Sequence, residues 1–433
     1  MKAGRLRGTL VRTFLARGLA VSGSLLLIVV AGRLYGPAGV GVLALAQSLI
    51  LGVGTLARYG MGGTLMRYVG REPGDPNNRI YLRRALLTAL LASVLGGGLL
   101  WAFREPLEDL FQAPGLASAL AGVALATPAF TLAFVLSGFF KGLRRPAAAS
   151  LLENGGIALG VVPFLFLLRG LHPEGELATL GWAYALSSWL VLALAAWPLR
   201  RWHGSLAAGP AAAGRLETPR VFFATSQAFF FTNLAVLLQS VVGIMLAGWL
   251  LASAELGLFK AAQQLASAVS FVLVGINAIF PPLFAESYHQ GRPERLARLA
   301  RQGALLGILM AAPLLLVLLL FPAAALALLG DGFEGAVPLL RVIAVAQLVN
   351  VACGSVGFVL NMTGHEVLMR NISLICALLS LSLFLILIPW LGALGAALAL
   401  AAALVAQNLA AVYFVWRRLG IWTLPGFNTR EHR

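Results

Sequence analysis

Runs of 17–25 mostly apolar residues, bounded by charge, glycine or proline, recur along this chain from residue 12 to residue 416. Each is long enough to cross the roughly 30 Å hydrocarbon layer of a bilayer as a helix. A segment in lipid must satisfy its backbone hydrogen bonds internally, so runs of this length leave only helices as spanning elements. The runs at 12–33, 40–58, 85–103, 117–139, 151–168, 178–198, 222–249, 257–284, 303–329, 337–360, 370–389 and 391–416 predict twelve spans. Of the 433 residues, 60% are hydrophobic and only 11% charged, against about 25% charged in soluble domains. A water-soluble enzyme is excluded. Twelve spans of about 21 residues also leave no stretch long enough for a separate folded domain between them. The first run, GLAVSGSLLLIVVAG at 18–32, follows a basic amino terminus. No convincing cleavage site follows it and it completes an internal repeat, so it reads as a membrane helix rather than a secretory signal.

The net charge of +16 suggests nucleic acid only until the basic residues are assigned to loops. Alternating the twelve spans puts 27 of the 32 Lys and Arg residues on the side of both termini. Only Arg33, Arg104, Arg169, Lys260 and Arg341 fall on the other side. That asymmetry places both termini in the cytoplasm and the protein in the cytoplasmic membrane. The inner-side cations are anchors at the anionic leaflet, worth about 1 kcal/mol each, and no nucleic-acid partner is expected. Cys353 and Cys376 lie within apolar runs and read as small buried hydrophobes rather than a disulfide or zinc site.

The chain repeats itself. GRLYGPAGVGVLALAQSL at 32–49 aligns without gaps on GWLLASAELGLFKAAQQL at 248–265, and LATLGWAYAL at 177–186 aligns on LGALGAALAL at 391–400. The offsets of these pairs, 216 and 214, nearly agree. The expected architecture is therefore an all-α polytopic membrane protein of twelve helices in two six-helix bundles related by a pseudo-two-fold axis. Its domains would be an amino-terminal bundle over 1–203, a cytoplasmic linker over 204–220 and a carboxy-terminal bundle over 221–433. An even number of spans per half makes the repeats parallel, an arrangement in which transporters bind substrate between halves and rock one against the other.

These stretches, with RYGMGGTLMRYVG at 58–70 and ASAELGLFKAAQQLASAVSFVLVGINAIFPPLFAESYHQGRPERLARL at 252–299, resemble the polysaccharide flippases of the multidrug/oligosaccharidyl-lipid/polysaccharide exporter superfamily. The likeness runs through the whole chain. Its most specific parts are the Gly36–Pro37 turn with Gly41, the GMGG segment with Arg67, and PPLFAE closing span eight. The resemblance implies an inverted-V pair of bundles that carries a lipid-linked oligosaccharide, of the undecaprenyl-pyrophosphate type, to the outer leaflet by alternating access. It also implies a coupling cation, a proton or the membrane potential as energy source. Members often carry an acidic residue in span seven, whereas TNLAVLLQSVVG at 232–243 offers Asn233, Gln239 and Ser240. The expected protein is a monomer, close to polysaccharide biosynthesis enzymes.

A pyrophosphate bearing sugars calls for Arg or Lys with amide and hydroxyl donors, and polar residues inside a bilayer are functional candidates by default. Arg17, a turn and a half inside span one, either meets the pyrophosphate or snorkels to headgroups. Arg33 closes the same span at its outer end, and Arg341 opens span ten there; each is a cavity cation or an anchor. Arg58 precedes the YGMGG segment. Lys260 is followed by Gln263 and Gln264, three and four residues on and hence on one helix face. Gln47 is the repeat mate of Gln263. Glu153, at the start of span five, is the candidate for ion coupling. Asn233, Asn277, Asn350 and Asn408 read best as interhelical glue. The clusters Phe222–Phe223 and Phe229–Phe231 are expected to face lipid or the neighbouring bundle. No Walker, HExxH, GxSxG or CxxC pattern occurs, so no catalytic site, metal or cofactor is expected. The competing readings are a multidrug or small-cation antiporter of the same superfamily, which would need cavity carboxylates, and a membrane glycosyltransferase or polymerase, which would need larger outer loops.

Overall fold

The computed structural model describes residues 3–171, 177–205 and 217–424. Among them every regular element is helical. Among the described residues, nine helices are long and apolar enough to cross a membrane. Residues 18–58 hold two spans, and the 18-residue helix Asn154–Leu171 and the interrupted helix over 219–250 complete the twelve. The chain is a multi-pass membrane protein. It forms two compact units, Met1–Ser253 and Ala254–Arg433.

The first unit opens with α1 (Ala3–Arg58), broken at Gly36, whose backbone (φ 66°, ψ −169°) lies where only glycine is at ease. Pro37 follows and starts the second span with its fixed φ. Neighbours hold the break: Arg169 Nη1 donates to the Leu34 carbonyl at 3.3 Å, and the Tyr35 hydroxyl bonds that of Thr179. Next come α2 (Met61–Arg71), α3 (Asn78–Ala102), α4 (Arg104–Phe111), α5 (Leu116–Gly142), α6 (Pro146–Leu151), α7 (Asn154–Leu171) and α8 (Ala178–Ser205). Then α9 (Pro219–Leu237), a π turn over Leu238–Val242 and α10 (Gly243–Leu250) form one interrupted span. Helix α5 is the hub of this unit, buried along most of its length and packed against α1, α2, α3 and α8.

Unit one thus extends past the linker to Ser253, taking in the helix that the sequence repeat assigns to the second half. The reason is aromatic. Phe222 is wholly buried and stacks on Tyr81 at 5.6 Å, Tyr81 stacks on Tyr68 at 4.9 Å, and Phe230 stacks on Tyr59 at 5.0 Å. Gly60, at φ 73°, turns the chain between α1 and α2 where a Cβ would lie 2.1 Å from the Ser226 carbonyl oxygen. That proximity seats α9 directly on the turn. The Thr64 and Ser226 hydroxyls bond at 2.9 Å, and those of Tyr68 and Thr225 at 3.1 Å. Of the phenylalanine clusters, Phe223 and Phe231 are exposed, as expected of lipid-facing rings, while Phe222 belongs to the core. Linker residues 206–216 lie outside the described residues.

The second unit continues with α11 (Ser253–Ser267), a 3₁₀ turn over Ala268–Ser270 and α12 (Phe271–His289), followed by α13 (Pro293–Leu320) and α14 (Pro322–Ala327). It ends with α15 (Val337–Cys353), α16 (Val356–Met362), α17 (Glu366–Leu391) and α18 (Ala393–Leu419). Span ten is broken between α15 and α16 at Gly354, and spans eleven and twelve are divided only by Gly392. On α17, Ile375, Leu378, Ile386 and Trp390 are exposed while Ile372, Cys376, Phe384 and Ile388 are buried, so the helix presents one face to lipid and one to the bundle. Cys353 and Cys376 are free and buried.

Candidate functional site

In the first unit, two of the sequence candidates lie against one face of α5. Arg58 is the last residue of α1. Its Nε donates to the Gly54 carbonyl at 3.1 Å and its Nη2 to Thr55 Oγ1 at 2.5 Å, while the guanidinium carbon lies 4.4 Å from the centroid of Phe134. The side chain is thereby fixed by its own helix and by an aromatic face of α5. Glu153, immediately before α7, is close enough to attract Arg58 electrostatically. The carboxylate also accepts from Ser137 Oγ at 2.8 Å and forms an ion pair with Lys141, both on α5. Phe134, Ser137 and Lys141 recur at helical spacing and share a face of α5. Helix ends favour the arrangement: cations sit at the carboxy-terminal ends of α1 and α5, and the carboxylate precedes the amino-terminal end of α7.

Lys141 and Ser137 have no signal in the sequence. The charge rule reads Lys141 as a loop anchor, and a contact to a residue twelve positions later across a turn follows no helical period. Gln47 sits elsewhere, about 16 Å back along the same helix. It bonds Tyr184 in a crevice of about 10 Å³, room for one water molecule, lined also by Leu43, Val123 and Gly181. Arg33 is exposed beside the Gly36 break. The side chains of Arg17, Gln239 and Ser240 lie outside the described residues.

The second unit brings Lys260 and Gln263 together: Lys260 Nζ donates to Gln263 Oε1 at 3.3 Å, one turn apart on α11. Both are half-buried, as is Gln264. Among the described residues, no carboxylate forms an ion pair with Lys260. Arg341, near the start of α15, is exposed. Three of the four asparagines, Asn277, Asn350 and Asn408, form interhelical glue. Asn408 Nδ2 donates to Asn350 Oδ1 at 3.2 Å, Asn350 Nδ2 donates to Gln347 Oε1 at 3.0 Å, and Ser270 Oγ donates to the same Gln347 oxygen at 2.7 Å. This chain ties the 3₁₀ turn of span eight to α15 and α18, and Ser355 Oγ adds a bond of 2.5 Å to Asn277 Oδ1. Among the described residues, no group of three or more His, Cys, Asp or Glu could hold a metal ion.

A family model described as "Polysaccharide biosynthesis protein" matches residues 9–287, and one described as "MatE" matches residues 228–383. No curated protein matches the chain. Among solved structures, an inward-facing multidrug resistance MATE family transporter of the MOP superfamily shares 15% identity over 94% of both chains, with a TM-score of 0.67. The MATE multidrug transporter DinF-BH shares 17% over 96% of both, with a TM-score of 0.64. The lipid II flippase MurJ, in an inward closed conformation, shares 11% over 94% of this chain and 87% of its own, also at 0.64. At these identities the likeness is one of fold.

Proposed function

Because the chain belongs to the polysaccharide biosynthesis protein family, whose model covers residues 9–287, we propose that it is a flippase carrying a lipid-linked oligosaccharide on undecaprenyl pyrophosphate across the cytoplasmic membrane. It does so by alternating access, with both termini in the cytoplasm, as a monomer beside the enzymes of surface polysaccharide biosynthesis. The observation that carries this reading is the balance of charge within the spans. Lys260 has an amide rather than a carboxylate for its contact, and Glu153 is already paired with Lys141. An excess of embedded cations suits an anionic headgroup and suits a cationic drug poorly.

In this reading Arg17, Arg58, Lys260 and the exterior-end cations Arg33 and Arg341 meet the pyrophosphate along its path. Gln47, Gln263 and Gln264 meet sugar hydroxyls, and Glu153 carries the coupling proton or cation. No residue is assigned to bond making or breaking. The match of residues 228–383 to the MatE family favours one competing reading, ion-coupled export of small molecules. The test is complementation of a bacterial strain lacking its own lipid-linked glycan flippase. Restored surface polysaccharide, lost again in the Arg58→Ala/Lys260→Ala double variant, is the expected result. Unchanged polysaccharide in that variant overturns the site assignment, and drug resistance without restored polysaccharide overturns the substrate class.

A further inference from the structure

The carboxylate of Glu153 is held as a bound anion is held. One of its oxygens takes both the Ser137 hydroxyl hydrogen and the Lys141 ammonium, and Arg58, its guanidinium fixed by Gly54, Thr55 and Phe134, lies over the α5 ring one turn before Ser137. Lys141 and Ser137 hold the carboxylate, and with Arg58 beside them on the same face of α5 the cluster carries a net positive charge. Each of these donors fits a phosphate oxygen as well as a carboxylate oxygen. The Lys141 and Glu153 side chains are both about one-third exposed, at 37% and 35%, so an incoming group has access to the pair. All three charges lie at helix ends on one end of the unit, the end that the basic loops assign to the inner membrane face. A lipid headgroup enters a bilayer protein at that depth.

We propose that Lys141 and Ser137, together with Arg58, form an anion-binding subsite for the pyrophosphate headgroup, and that Glu153 occupies it as a resident counter-ion until the headgroup displaces it. This rests on the flippase reading and adds to it two residues of α5 and an order of events. Substrate and carboxylate compete for the same donors, so loading the headgroup frees Glu153 from Lys141. A carboxylate released in this way takes up a proton or a cation, and the two binding events are linked reciprocally through the shared donors.

The experiment uses the full chain in detergent–lipid micelles, with undecaprenyl pyrophosphate as the probe and uncharged undecaprenol as its control, and binding read by quenching of intrinsic tryptophan fluorescence. Lys141→Gln and Ser137→Ala are expected to weaken the pyrophosphate lipid several-fold to tenfold and leave undecaprenol unaffected. Lys141→Arg should retain most of the affinity and so separates a lost donor from a damaged fold. Glu153→Gln is expected to strengthen binding several-fold, because the competing charge is gone. Weaker binding in Glu153→Gln, or wild-type affinity in both Lys141→Gln and Ser137→Ala, overturns the subsite. If wild-type protein fails to distinguish the pyrophosphate lipid from undecaprenol, the flippase reading itself fails. If it does distinguish them and the α5 variants do not matter, only the subsite fails.

Discussion

Substituting Gly60 by Ala tests whether the α1–α2 turn is the seat of helix α9. Two costs add. The backbone at φ 73° is left-handed, where a side chain costs about 1–2 kcal/mol. The new methyl carbon would also lie 2.1 Å from the Ser226 carbonyl oxygen and 2.6 Å from the Phe230 nitrogen. Both are backbone atoms that cannot rotate away, so α9 must shift, and overpacking of this kind costs about 1–3 kcal/mol. The expected loss is therefore about 2–5 kcal/mol of unfolding free energy, measured by reversible denaturation in mixed micelles. Gly98→Ala is the internal control. Gly98 lies within α3 near its carboxy-terminal end, exposed and with no heavy atom within 4 Å of an added Cβ, and alanine there is expected to gain about 0.5–1 kcal/mol. Equal stability of Gly60→Ala and wild type, or equal damage from the two variants, refutes the reasoning.

Phe222→Ala should cost about 3–5 kcal/mol, since it empties the space of a wholly buried ring stacked on Tyr68 and Tyr81; a loss under about 1 kcal/mol would place the ring outside the core. Arg58→Lys keeps the charge but cannot make the paired bonds to Gly54 and Thr55; complementation should fall about tenfold or more, and full activity would reduce Arg58 to a point charge. Gln347→Leu removes the acceptor shared by Ser270 and Asn350; a loss of about 1–3 kcal/mol is expected, together with faster amide exchange around the 3₁₀ turn at 268–270. Cys353 and Cys376, buried and unpaired, should resist maleimide in proteoliposomes and react after denaturation. Rapid labelling of the folded protein would contradict their burial.

The twelve apolar runs were legible because lipid imposes length and polarity on every span alike. What the runs do not encode is where helices break inside a span. The π turn at 238–242 and the break at Gly354 interrupt stretches that read as uninterrupted. The aromatic docking of α9 is invisible to hydropathy, since a phenylalanine that faces lipid and one that faces Tyr81 look alike in one dimension. The candidate site was half legible. Embedded charge pointed to Arg58, Glu153 and Lys260, but the partners of Glu153 and the ring against Arg58 come from α5, and Gln47 finds Tyr184 at a separation of 137 residues. Contacts of that kind are set by packing and leave no periodic trace.

The placement of helix 219–250 within the first unit also bears on how the protein is made. The core joining Tyr59, Tyr68, Tyr81, Phe222 and Phe230 is encoded entirely before Ser253. A nascent chain therefore holds every partner of that core while the remaining helices are still on the ribosome. Seven crossings leave the growing end on the membrane face opposite the amino terminus, so the eighth helix starts its passage from there, and synthesis divides the protein seven to five where the repeat divides it six to six.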